Sequence, residues 1–294
     1  MATTLPTVTY LELRESNADG TAAAGLSHTG KGLVLLHVQE LAADGVPRGA
    51  VTIVHDAGGH GGQFLRVGRR LAEAGWAVAL PDLRGHGRSE GPRGHSHGVQ
   101  EVVRDLGDVQ DHLAYRQPDA PRVLVGQGLG ALWCLAFASE RPDGIAAVVL
   151  AAPLVDPFFD VPVAAGGLMK LFKKVVPESA GRIGWDPASR TNDDEGRALL
   201  VAEPAHDVIT VRASDEARAA ARTYLPKLAN IAMPVLVVVG VDDRIAPSAK
   251  VRVLSGPRVE VREFAGAHHD LFLDGRASDV AEAIVRWLDA KLAR

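Results

Sequence analysis

Short apolar runs recur along the chain, with longer helical patterns between them: VTIVH at 51–55, WAVALP at 76–81, RVLVG at 122–126, AAVVLAA at 146–152, PVLVVVG at 234–240 and VEVREF at 259–264. Apolar strands alternating with helices predict an α/β fold, a parallel sheet with βαβ crossovers. Phe64, Val67, Leu71 and Ala74 share one helical face, and Val99, Val102, Leu106, Val109 and Leu113 share another. Those stripes are the faces expected to cover the sheet. Ahead of them, VTYLEL and GLVLLHV are separated only by a polar, glycine-containing stretch, which predicts an antiparallel pair.

From Pro153 to about Asn230 the strand rhythm stops, and Pro157, Pro162, Pro177, Pro187 and Pro204 punctuate helical patches. This segment reads as a helical cap, 154–230, inserted into a core formed by 1–153 and 231–294. Inside it Leu168, Met169, Leu171, Phe172, Val175 and Val176 fall at helical spacing, with Lys170, Lys173 and Lys174 on the other face. Packing on its own domain is the first reading; a lid over an apolar pocket and a membrane-surface contact are the others. No internal repeat interrupts this organisation.

Composition narrows the function classes. The 294 residues carry 32 basic and 36 acidic side chains with no basic stripe, so the charge that neutralises phosphates is missing and nucleic acid is not an expected partner. The opening MATTLPTVTYLELRE lacks a charged segment followed by an apolar one, and no apolar run reaches the roughly 18 residues of a membrane span. A cytoplasmic protein is the expectation. Cys134 stands alone, which rules out an internal disulfide and suggests a buried structural thiol.

Active groups in open α/β sheets gather at the carboxyl ends of the strands. RVLVG leads into Gly126-Gln127-Gly128-Leu129-Gly130 and then an apolar helix, the shape of a nucleophile elbow. Val241-Asp242-Asp243-Arg244 follows PVLVVVG, and Ala267-His268-His269-Asp270 follows VEVREFAG, giving elbow, acid and histidine in chain order. VTIVH leads into Asp56-Ala57-Gly58-Gly59, a loop whose N–H groups suit a developing oxyanion. Two rival motifs are weaker. A dinucleotide fingerprint at Gly126, Gly128 and Ala131 needs an acid at the end of the next strand, where Ala151, Ala152 and Pro153 stand. His95 and His97 have no further ligand at a zinc spacing, so they read as a solvated loop and no metal or cofactor is expected.

With these motifs and Pro81-Asp82-Leu83-Arg84-Gly85-His86-Gly87-Arg88-Ser89, the chain from about residue 30 onward resembles the α/β-hydrolase superfamily, in its monoacylglycerol lipase and lysophospholipase-like branch. The resemblance implies a carboxylic ester hydrolase acting on a small apolar or acyl ligand. It implies Asp243 rather than Asp242 as acid, His269 rather than His268 as base, and an oxyanion hole from the N–H groups of Ala57 and Leu129. His55 and His86 it assigns to loop structure. The chain departs from it at the elbow: the family's G-x-S-x-G has Gly128 at the nucleophile position, so no hydroxyl attacks a carbonyl. Neither Cys134, six residues along the helix, nor Ser89, in another loop, stands in for it. Asp56 also replaces a usual glycine, with consequences for the oxyanion hole, and Gln127 stands where a histidine often precedes the serine. Three functional readings stay open: a non-hydrolytic relative with an apolar ligand pocket, an enzyme working through Asp243 and His269 without a serine, and a hydrolase disarmed by substitution. Because every other group occupies its expected motif position, Gly128→Ser is expected to create or restore activity toward short-chain esters or monoacylglycerols.

Overall fold

The computed structural model describes residues 5–14, 17, 33–161, 179–202, 207–254 and 256–292. The apolar runs form strands at or within three residues of their expected bounds: β1 (Thr7–Arg14), β2 (Leu33–Leu41), β3 (Gly49–Val54), β4 (Trp76–Pro81), β5 (Arg122–Gln127) and β6 (Ile145–Ala151). Two-residue strands β7 (Ala180–Gly181) and β8 (Ile209–Thr210) pair with each other, and β9 (Val235–Gly240) and β10 (Val259–Phe264) complete the main sheet. Its order is β1-β2-β4-β3-β5-β6-β9-β10. β2 is antiparallel to both β1 and β4, and every other pairing in this sheet is parallel. The helical segments between strands are the crossovers that parallel pairing demands.

Helices α1 (Leu65–Glu73), α2 (Val99–Arg116) and α3 (Leu129–Glu140) follow β3, β4 and β5. Phe64, Val67 and Leu71 are buried with Trp76 and Leu80, while Val109 and Leu113 of α2 close a smaller cluster with Leu36, Val38 and Ala79. α3 is buried almost all round, as its uniformly apolar sequence requires, and Cys134 lies in it, its thiol pushed up by burial. Gly126 and Gly130 let β5, α3 and β3 approach closely. A Cβ at 126 would meet the Gly130 carbonyl at 2.3 Å, and one at 130 the His55 carbonyl at 2.4 Å.

Between β6 and β9 lie α4 (Pro187–Arg190), α5 (Asp194–Ala202) and α6 (Val211–Tyr224), with the β7–β8 pair, and α6 packs on α3. The lysine-flanked stripe at 168–176 lies outside the described residues. α7 (Ser248–Val251) and α8 (Ala277–Leu292) complete the α-helices of the described residues. No helix among these residues is long and apolar enough to cross a membrane.

Candidate active site

Three loops at the carboxyl ends of β3, β5 and β9, with a fourth after β10, converge on one buried cluster. Gly128 forms the turn from β5 into α3 at φ +56, in the left-handed region that glycine enters without steric cost. The β9 loop supplies Asp243, whose Oδ1 accepts the backbone N–H groups of Ile245 and Ala246 at 2.8 Å each. The loop after β10 supplies His269, whose Nδ1 lies 2.8 Å from Asp243 Oδ2. The neighbouring Asp242 is exposed, and His268 turns instead toward Asp274.

His269 meets no hydroxyl on its other side. Its Nε2 lies 2.9 Å from Oδ2 of Asp56, the residue that follows His55 at the end of β3. The other oxygen of the same carboxylate accepts both N–H groups expected to form the oxyanion hole, Ala57 at 2.7 Å and Leu129 at 2.6 Å. The hole is therefore formed and filled by the chain itself. Gly128 makes the room: a Cβ there would stand 2.1 Å from the Asp56 carboxyl carbon and 2.1 and 2.2 Å from its oxygens. That geometry corrects the expectation for Gly128→Ser, because a serine side chain at 128 collides with the Asp56 carboxylate.

Neighbouring groups fix this arrangement. The His55 ring lies between its own loop and the next: Nδ1 is 2.8 Å from the Asp56 carbonyl, and Nε2 accepts the Leu83 N–H at 2.9 Å. Trp185 sets its ring edge-to-face against His269 at 5.3 Å and stacks on Phe159 at 5.5 Å, so the segment after β6 covers the imidazole. Arg190 donates to Asp270 at 2.8 Å, and Gln127 donates to the same carboxylate at 3.0 Å. Gln127 thus ties the elbow to the histidine loop.

Burial alone would push the His269 imidazole toward neutrality, but the charge of Asp243 and its hydrogen bond, followed by those of Asp56, outweigh it and raise its pKa to about 10. Burial likewise pushes the Asp243 carboxyl up. The His269 charge and hydrogen bond, with two backbone N–H groups, reverse the sign and hold it below the ordinary carboxylate value. The result is an imidazolium clamped between two carboxylates, a hydrogen-bond donor on both nitrogens. Burial raises Asp270, against the pull of Arg190 and His269.

Asp56, His269 and Asp270 place one potential ligand atom each within 4.8 Å of one another. Their acceptor atoms already serve Ala57, Leu129, Gln127 and Arg190, so the protein itself satisfies the cluster. His95 is buried, with Nδ1 3.0 Å from Thr210 Oγ1, which corrects the solvated-loop reading of that pair. Ser89 is spent on the Asp82 carbonyl and the His37 N–H. A narrow cavity of about 30 Å³ adjoins the hole, lined in part by Ala57, Leu129, Leu83, Val102, Trp133 and Ile209. The residue that sequence reasoning left off the site is Asp56. Its signal was present as one of three departures at motif positions, and only the fold shows that it meets His269 across the space left by Gly128.

Comparison with known proteins bears on the family and the fold. Residues 45–276 match a family model, Hydrolase_4, described as serine aminopeptidase, S33. The chain is 28% identical over 273 residues to the monoacylglycerol lipase of Mycolicibacterium smegmatis, covering 90% of this chain and 97% of that one. It is 24% identical over 248 residues to a monoglyceride lipase homolog of Monkeypox virus, covering 82% and 90%. Among solved structures, Paleococcus ferrophilus monoacylglycerol lipase superposes with a TM-score of 0.75 at 27% identity, over 87% of this chain and 99% of that chain. A monoglyceride lipase variant from Saccharomyces cerevisiae shares the fold at a TM-score of 0.80 and 19% identity, over 99% and 97%.

Proposed function

The chain belongs to the Hydrolase_4 family of α/β-hydrolases, and we propose that it is a monoacylglycerol-lipase-like member in which the serine route to acyl transfer is closed. Acyl transfer by that route needs a hydroxyl nucleophile, a neutral histidine to take its proton and an empty oxyanion hole. Gly128 supplies no hydroxyl, and the carboxylates of Asp243 and Asp56 on its two nitrogens favour the protonated form of His269. The observation that carries the reading is the Asp56 carboxylate, bound by Ala57, Leu129 and His269 where an ester's oxyanion would form.

We place the cap at 154–230, over a core of 1–153 and 231–294. The cavity beside the hole has room for a water or two, so binding of an apolar or acyl ligand requires that cap to shift.

The test is kcat/KM for p-nitrophenyl esters in the parent, Gly128→Ser, the double variant Asp56→Gly with Gly128→Ser, and each of these with His269→Ala. The parent and Gly128→Ser should match their His269→Ala backgrounds. The double variant should gain at least about tenfold, roughly 1.4 kcal/mol of transition-state stabilisation, and lose it with His269→Ala. His269-dependent turnover in Gly128→Ser alone would refute closure of the site by the Asp56 carboxylate, and in the parent it would reveal a route that needs no serine.

A further inference from the structure

We propose that a cleft at the far end of the sheet from the candidate active site binds an amphipathic monocarboxylate. Arg122 holds the carboxylate, and the apolar body lies against Ile145, Leu292 and the prolines of two loops. The proposal is independent of the closed serine route, since no group of that site takes part in it.

The cleft has a volume of about 820 Å³ and opens where β4, β5 and β6 begin, with Trp76, Arg122 and Ile145 in its wall. Small-molecule sites span about 300–1,000 Å³, so it has room for a ligand of ordinary size. The six residues of β5 separate it from the Gly128 turn, roughly 20 Å at about 3.3 Å per residue. Pro47 comes from the loop before β3, and Pro118 and Pro121 come from the loop between α2 and β5. Proline stiffens both loops, which lowers the ordering cost of packing a ligand on them. Val46, at the mouth, is 90% exposed, and an apolar ligand body would cover it.

Two arginines stand in this cleft, and the chain treats them differently. Arg48 is answered: its Nη1 lies 2.6 Å from Asp289 Oδ1, and its guanidinium stacks over the Trp76 ring at 5.3 Å. Half-buried Arg122 donates from Nη1 to the Gln110 carbonyl at 3.2 Å and from Nη2 to the Asp143 carbonyl at 3.0 Å, and among the described residues it forms no ion pair. Neutral carbonyls fix the orientation of a guanidinium without cancelling its charge, and they leave the Nε–H and the remaining Nη donors open. Gly144 makes the room for this arrangement: at φ +77, a Cβ there would stand 1.9 Å from Arg122 Nη2. A planar fork held in place, with donors to spare and an apolar wall beside it, suits a carboxylate bound through both oxygens. Asp119, exposed at the rim, disfavours a second negative charge on the ligand, so a monoanion fits better than a dianion.

Isothermal titration calorimetry on the full chain, with octanoate, 1-octanol and acetate as probes, tests the proposal. Octanoate should bind once per chain, and octanol and acetate should each bind at least about tenfold more weakly, one lacking the charge and the other the apolar body. Arg122→Gln should weaken octanoate by about tenfold or more and leave octanol unchanged, whereas a purely structural Arg122 would move both probes alike. Ala120→Trp fills the cleft from its loop and leaves the guanidinium in place; it should abolish binding of octanoate, and it decides the location should Arg122→Gln fail to fold. Absence of octanoate binding, octanol binding as tight as octanoate, an equal loss of both probes in Arg122→Gln, or octanoate affinity unchanged in Ala120→Trp would each overturn the proposal. None of these outcomes bears on ester turnover, so the closed serine route stands or falls separately.

Discussion

Two buried ion clusters in the same fold treat their carboxylates in opposite ways. At the candidate site Asp243 is held below its ordinary pKa, with two backbone N–H groups and the His269 imidazolium on it. Behind the loop after β4, Asp105 on α2 faces the bidentate guanidinium of Arg84 at 2.9 Å through each oxygen, yet burial raises it to about 6. Burial is the largest influence at both. Arg84 is shared with Glu101 at 3.5 Å and also donates to the Arg14 carbonyl, so one cation serves two buried acids. A carboxylate stays ionised inside this fold where fixed backbone donors converge on it, and is pushed toward its neutral form where a shared side chain must do that work.

Arg84→Met should produce the largest stability effect in either cluster. It takes the Arg84 guanidinium away from the buried Glu101 and Asp105, at a cost of about 3–5 kcal/mol at neutral pH. Urea unfolding measures it. The loss should shrink as the pH drops below about 6 and Asp105 takes up a proton. A loss under about 1 kcal/mol would mean that the guanidinium does not hold the acids in place.

The fold was legible because burial on both faces writes parallel strands as unbroken apolar runs: the fully buried VLVVVG of β9 and the buried GAVTIV of β3 could be little else. The Gly128 turn, Asp243 and His269 were legible because each sits at a strand end in chain order. The state of the site was not. That Asp56 fills the hole depends on a contact across 73 positions, between the loop after β3 and Leu129, and no local pattern encodes such a meeting. His95 failed for a similar reason: polar loop neighbours imply water, but Thr210 from β8 covers it.

The second effect is a pH dependence. His269 rises from 6.5 to about 10 on folding, so the stability it contributes is fully present below about pH 6.5 and lost as pH climbs through about 10. Asp243 contributes the reverse: its lowered pKa gives stability present above about 3.8 and lost as pH falls through the folded value. Urea midpoints should therefore decline from about pH 6.5 to 10 in the parent. Asp56→Asn, which removes one of the two flanking charges, should flatten that decline and lower the His269 pKa read by NMR. An unchanged imidazole titration in the variant would separate Asp56 from the ion cluster.

The smallest effect should come from Asp105→Asn, and its sign is the sharper test. Because Asp105 is raised above its unfolded 3.8, the ionised form is the one the fold disfavours, and its burden on stability grows as pH rises from about 3.8 to 6. Asparagine keeps one acceptor for Arg84 and discards the buried charge, and Glu101 remains as counter-ion. Stability at pH 7 should change by less than about 1 kcal/mol and in the stabilising direction, with a flatter profile between pH 4 and 6. Asp243→Asn should move oppositely, since there the fold favours the charge, and asparagine would set an N–H against the His269 Nδ1–H or force the other tautomer. Comparing the two variants by urea unfolding at pH 5 and 7 isolates the donors as the cause. If both substitutions destabilise alike, burial depth rather than the supply of backbone N–H groups governs the two clusters.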